Sequence, residues 1–152
     1  MAAAPSIRLT VPGTLAYRAV AVRVVAEACR LVSTPGAEDM KTGAAYDLSH
    51  PFDAEFVSAF AEIFNNIAIH AYERRGGGDV ELAITVAAES LTVEARDSGK
   101  PFDYSTVERP DLDSLPEGGM GIHIARAMLD EVSYTAGPPN QWRLVKRLAN
   151  NT

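Results

Sequence analysis

A two-layer α/β sandwich, with helices on one face of a mixed, mostly antiparallel sheet, is the fold class this chain predicts, and three observations lead there. The hydrophobic period switches between two and 3.6 in the order strand, helix, helix, hairpin, helix, hairpin. The stretch Phe56 to Tyr72, FVSAFAEIFNNIAIHAY, is too apolar for a surface helix and needs a layer on more than one side. The 152 residues suffice for one domain with a real core and are too few for two ordinary ones, so a single domain over 1–152 is expected. A doubly wound nucleotide-binding arrangement fits poorly, because only Pro12 and Gly13 stand where a glycine fingerprint would follow the first strand.

Taken in order, Ser6 to Val11 places Ile7, Leu9 and Val11 on one side and is closed by Pro12 and Gly13, which predicts a first strand. Thr14 is a good N-cap for a helix reaching about Val32, rich in Ala, Val and Leu, with Arg18, Arg23, Glu27 and Arg30 at near-helical spacing. Residues 33 to 51 have the Gly, Pro, Ser and Asp content of a connection, with room for a short helical turn between Glu38 and Ala45. Asp53 can cap the Phe56 to Tyr72 helix, which stops at Arg74, Arg75 and three glycines. Asp79 to Ala87 and Ser90 to Asp97 alternate as an antiparallel hairpin. Ser98 to Glu117 lacks periodicity, and a loop that long in a compact domain usually has a task. Gly118, Gly119 and Gly121 lead into an apolar helix over Ile122 to Leu129, and Val132 to Ala136 and Trp142 to Leu148 form a last strand pair around Gly137-Pro138-Pro139-Asn140.

Composition removes several classes of function. Apolar residues at 47% and charged residues at 22% are ordinary globular usage, against disorder or a coiled coil. The net charge of −6 and a pI near 5.0, with Lys and Arg scattered along the chain, argue against nucleic acid as a direct partner. Cys29 is the only cysteine, which excludes an intramolecular disulfide and a cysteine-rich metal site and suits helix packing in a reducing compartment. No stretch reads as a signal segment or a membrane span, so a soluble, cytoplasmic protein with no membrane partner is expected.

Three clusters carry chemistry. Glu62, Asn66 and His70 follow one another at i, i+4 and i+8, drifting about 40° per step, so they form one polar stripe on an otherwise buried helix. That stripe is either a solvated helix edge or the wall of a ligand site. Asp97-Ser98-Gly99-Lys100-Pro101-Phe102-Asp103 leaves a strand end, where an Asp could accept a hydrogen bond from an exocyclic amine and a glycine lets the backbone approach a flat ligand. The same residues are also ordinary turn formers. Gly118-Gly119-Met120-Gly121 opens a helix, whose bare amides and dipole could hold phosphate oxygens. No GxxxxGK[ST] loop exists, so any phosphate is bound without a P-loop.

In this order and spacing the clusters resemble the GHKL superfamily, the histidine-kinase-like ATPases of the Bergerat fold, and within it the bacterial anti-sigma factor serine/threonine-protein kinases. The resemblance covers roughly Asp53 to Leu148: E-x-x-x-N-x-x-x-H-[AG]-Y stands as Glu62 to Tyr72, D-x-G-x-P-F-D as Asp97 to Asp103, and G-G-x-G as Gly118 to Gly121. The tail Met128 to Val132 and the closing Arg143 to Leu148 are also similar. It implies ATP and Mg²⁺ as cofactors, Glu62 as the general base and Asn66 as the metal ligand. It further implies that Asp97, helped by Gly99, reads the adenine amine. Gly118, Gly119, Met120 and Gly121 would cradle phosphates under a lid of residues 104 to 117. His70 is then either a contact of the nucleotide or a satisfied, partly buried histidine. The implied activity is phosphorylation of a serine on an anti-anti-sigma (STAS-domain) partner by a protein that also sequesters a sigma factor or similar regulator, with a homodimer suggested. The alternative is a non-catalytic nucleotide- or partner-binding module of the same fold. Two features depart from the pattern: the 33 to 51 connection is longer than usual, and Ile67 stands where a small Ala is common.

Overall fold

The computed structural model describes residues 4–34, 50–102 and 119–149. The expected helical turn at Glu38 to Ala45, the lid at 104 to 117 and Gly118 lie outside these residues. Five strands form one sheet: β1 (Ser6–Pro12), β2 (Asp79–Val86), β3 (Ser90–Asp97), β4 (Glu131–Thr135) and β5 (Asn140–Arg147), in the spatial order β1-β2-β3-β5-β4. All four pairings are antiparallel, so the expected mixture of directions resolves to its antiparallel majority. Among the described residues three α-helices accompany them: α1 (Arg18–Ser33), α2 (Pro51–Asn66) and α3 (Gly119–Met128). A 3₁₀ turn over Leu15–Tyr17 precedes α1, and a π-helical turn over Ile67–Ala71 continues α2.

Register explains why one sheet face is apolar. Leu9 faces Leu82, Leu82 faces Ala95 and Ala95 faces Trp142, while the next row runs Ile7, Ile84, Val93, Leu144. Because side chains alternate with period two, these rows fall on the same side and meet the buried faces of α1 and α2. Val25, Cys29 and Val32 come from α1, and Phe56, Phe60, Ile63 and Phe64 from α2, all at most 1% exposed. Cys29 is therefore a packing residue, and burial pushes its thiol pKa well above the ordinary cysteine value. The opposite sheet face is polar: Arg96 donates to Gln141 at 2.7 Å and Gln141 to Glu94 at 2.9 Å.

Three boundaries differ from expectation for identifiable reasons. Helix α2 begins at Pro51, five residues before Phe56, because Pro suits the first helical position and His50 Nδ1 accepts the Phe52 N–H at 3.1 Å. Asp53 is accordingly not the cap; it sits in the first turn, 2% exposed. Thr14 has the extended conformation of an N-cap but makes no side-chain capping bond, and the chain enters α1 through the 3₁₀ turn. At the far end of α2 the Tyr72 N–H reaches Ile67 O at 3.0 Å, an i to i+5 bond, so the last turn is wider than α.

Candidate functional site

The three clusters, separated by up to 59 residues in sequence, are joined by contacts that all involve α2 and its π turn. Glu62, partly buried on α2, lies with its carboxylate directly against the backbone of Gly121 in the first turns of α3. A β-carbon added at position 121 would meet Glu62 Oε2, and would stand 3.0 Å from Cδ and 3.3 Å from Cβ of the same residue. A bare α-carbon at 121 is what allows the carboxylate to approach the opening of that helix. Gly119 and Met120 form the first two residues of α3.

Asn66 follows Glu62 by one turn and is 5% exposed. Its Nδ2 is buried without a hydrogen-bond partner among the described residues, an arrangement that costs free energy unless a ligand or water completes it. Its neighbour Asn65 is turned outward and accepts from Arg18 at 2.9 Å. The π turn then carries His70, partly buried, and Ala71. Because that turn is wider, His70 does not simply repeat the α-helical spacing that carries Glu62 to Asn66.

Ala71 is the junction with the second cluster. Its carbonyl accepts the Lys100 N–H at 2.8 Å, and a side chain at Gly99 would stand only 2.5 Å from that oxygen. The adjacent Tyr72 closes the same junction. Its hydroxyl donates to Asp79 O at 2.8 Å and accepts from Ser98 N at 2.9 Å, while its ring occupies the space a β-carbon at Gly13 or Gly78 would need. One tyrosine thus ties the end of the π turn to β1, β2 and the exit of β3.

Asp97 ends β3 and is 3% exposed. Its Oδ1 accepts from Gly99 N and from Asn140 Nδ2, each at 2.9 Å. Burial raises its pKa above the ordinary carboxylate value, and those two donors pull it back in part. Beyond it, Phe102 is fixed by its N–H to the Tyr134 hydroxyl at 2.8 Å and by its ring against Tyr134 and Trp142, with centroids 6.0 and 5.7 Å away. Sequence reasoning named Glu62, Asn66, His70, Asp97, Gly99, Gly119, Met120 and Gly121, together with Gly118 outside the described residues. It missed Asn140, read as a turn residue, and Tyr72, read only as the end of a motif. For Asn140 the available signal was its place opposite Asp97 across the β3–β5 pair.

The family model for the histidine kinase-like ATPase domain matches residues 11–146, a span that includes every element described above except the first five residues of β1 and the last residue of β5. The chain belongs to this ATPase domain family. Among its relatives is Serine-protein kinase RsbW of Bacillus subtilis (strain 168), 27% identical over 101 residues, which make up 60% of this chain and 63% of that protein. Serine-protein kinase RsbW of Staphylococcus aureus is 28% identical over 107 residues, 64% of this chain and 65% of the relative. The protein of the same name from Bacillus pumilus (strain SAFR-032) is 30% identical over 88 residues, 51% of this chain and 54% of its own length. In each case the match spans less than two thirds of the relative.

Two further properties of this ATPase domain bear on what it can bind. Among the described residues no group of three or more His, Cys, Asp and Glu is placed to hold a metal ion. A metal here would depend on single protein oxygens together with a ligand's own, as Mg²⁺ commonly does at phosphates. Among the same residues no helix is long and apolar enough to cross a membrane.

Proposed function

We propose that this ATPase domain binds MgATP and transfers its terminal phosphoryl group to a serine of a STAS-domain partner, and that it sequesters a sigma factor or similar regulator when that partner is absent or phosphorylated. The observation that carries the reading is the seating of the Glu62 carboxylate against Gly121, which places a candidate base at the opening of a glycine-led helix. Ala71, which meets the Asp97–Gly99 turn, stands nine residues further along the same helix, roughly 13 Å at the usual rise per residue. That separation suits a nucleotide lying from its base to its terminal phosphate.

In this reading Asp97 accepts from the adenine amine, and Gly99 keeps the backbone open to the ring. The amides around Gly118, Gly119, Met120 and Gly121 receive phosphate oxygens, with the α3 dipole adding to the attraction. Glu62 takes the proton from the attacking serine hydroxyl. Asn66 fits the remaining role through its amide oxygen, which is suited to a hard cation, while its unpartnered Nδ2 can donate to a phosphate oxygen. Mg²⁺ held there would neutralise phosphate charge as the phosphoryl group departs. The names of the relatives, each a serine-protein kinase, favour protein serine as the acceptor. A cytoplasmic location follows from that role.

The test mixes the protein with MgATP and a STAS-domain protein from the same organism, follows phosphate on serine by mass spectrometry, and repeats the measurement with Glu62→Gln. Transfer by the wild type and a rate about 10²- to 10⁴-fold lower in the variant at unchanged ATP affinity is the expected result. ATP binding with no modified serine would replace the kinase with a non-catalytic binding module of the same fold.

A further inference from the structure

Asn140 opens β5 opposite Asp97 and is 1% exposed, so its side chain has only protein for company. Its amide nitrogen donates to Asp97 Oδ1 and to Gly99 O, each at 2.9 Å, and its Oδ1 accepts the Gly137 N–H at 2.9 Å. A primary amide has two hydrogens, and both are used. The orientation is fixed by the partners' chemistry, since a backbone N–H can only donate and a carbonyl oxygen can only accept. Asn140 therefore has no hydrogen left for a ligand.

The consequence falls on Asp97. Both donors that reach it among the described residues, Asn140 Nδ2 and Gly99 N, end on Oδ1. Two bonds on one oxygen stop the carboxylate from turning, and they leave Oδ2 as the acceptor with free lone pairs. The bond from Asn140 to Gly99 O holds the glycine turn in the same frame, so the acceptor and the backbone beside it are set by one side chain.

We infer that Asn140 is the positioning residue that holds Asp97 with Oδ2 presented to the ligand, and that it thereby sets the preference for a purine carrying a 6-amino group. This rests on the nucleotide reading above and adds to it a residue that acts through Asp97 without touching the base. A wholly scaffolding asparagine would affect all nucleotides alike. A positioning asparagine affects only those that present an amine to Asp97.

The experiment is calorimetric titration of the whole chain with ATP and with purine riboside triphosphate, which lacks the 6-amino group, in the wild type, Asn140→Ala and Asn140→Ser. Wild type is expected to favour ATP by about 10- to 100-fold, the range of one hydrogen bond to a charged group. Asn140→Ala should bring that ratio near one by weakening ATP alone. Asn140→Ser, the milder change, keeps a hydroxyl able to donate to Asp97 Oδ1 and should recover part of the ratio; circular dichroism and melting curves confirm that each variant is folded. An unchanged ratio in a folded variant, or equal weakening of both nucleotides, overturns the positioning role while leaving the nucleotide site in place. A wild type that binds neither nucleotide overturns the nucleotide reading, and this inference with it.

Discussion

Replacing Gly121 with Ala separates the stability of this domain from its chemistry. Position 121 lies inside α3, where Ala is favoured over Gly by up to about 1 kcal/mol. Against that gain, the new methyl group would overlap Glu62 Oε2 and stand 3.0 Å from Cδ. Those atoms are the far end of a flexible, partly buried side chain and can rotate away. The 3.3 Å approach to Glu62 Cβ is different, because Cβ moves only with the α2 backbone, and the helices must separate there by a few tenths of an ångström. The two effects oppose each other, so the melting free energy should stay within about 1 kcal/mol of wild type. The carboxylate, however, must leave its seat. If Glu62 is the base, phosphoryl transfer to the proposed STAS-domain partner should fall by about 10²- to 10⁴-fold, approaching the effect of Glu62→Gln. Urea unfolding gives the first quantity and single-turnover transfer of labelled phosphate the second. A folded Gly121→Ala protein with wild-type transfer would refute the argument, because the carboxylate would then have no need of that position. A loss of several kcal/mol would refute it differently, by showing Glu62 to be clamped.

Three other outcomes are expected. Asn66→Ala should abolish the Mg²⁺ dependence of ATP binding, measured by titration with and without the ion, at little cost in stability, since it removes a buried amide whose Nδ2 has no partner in the described structure. Asp97→Asn should lose ATP relative to GTP, and it should also change the pH profile. The native pKa of Asp97 is raised by burial, so its charge weakens the fold at pH above that pKa and the penalty is relieved as pH falls toward the unfolded value; urea melts of the variant should therefore show less gain on acidification than wild type. Tyr72→Phe leaves Ser98 N and Asp79 O without the hydroxyl and should cost about 1–3 kcal/mol in chemical denaturation; an unchanged midpoint would mean that water replaces it freely.

The sheet was legible because its strands are half-buried and alternate strictly: β3 was bounded to the residue and the other strands to within one residue at all but one end. The exception is the start of β5, where Pro138, Pro139 and Asn140 have turn composition although Asn140 is already a paired and buried strand residue. Only the cross-strand register with Asp97 reveals this, and register is a long-range property. The π turn was hidden for a related reason, since Ile67-Ala-Ile-His-Ala is acceptable helix sequence and its widening shows only in the bond from Tyr72 to Ile67. His50 was passed over as a cap because that work usually falls to Ser, Thr, Asp or Asn. Among the candidate site residues, helical spacing set Glu62, Asn66 and His70 on one stripe, and the family resemblance added Asp97, Gly99 and Gly121. What spacing could not supply was the pairing of Glu62 with Gly121 and the two-donor hold on a single oxygen of Asp97.

The strand order carries a consequence for how this protein is made. β5, the last strand among the described residues, lies between β3 and β4, and among those residues β4 joins the sheet only through it. A nascent chain that has emerged as far as Thr135 has an unpaired β4, an open edge on β3 and an Asp97 whose Asn140 partner is still to be synthesised. The sheet cannot be completed by adding strands outward; its closing piece is inserted from within, after most of the core residues are already present. During translation, the proposed nucleotide site would mature only as β5 clears the ribosome, and until then the bare β3 edge is open to pairing with other chains.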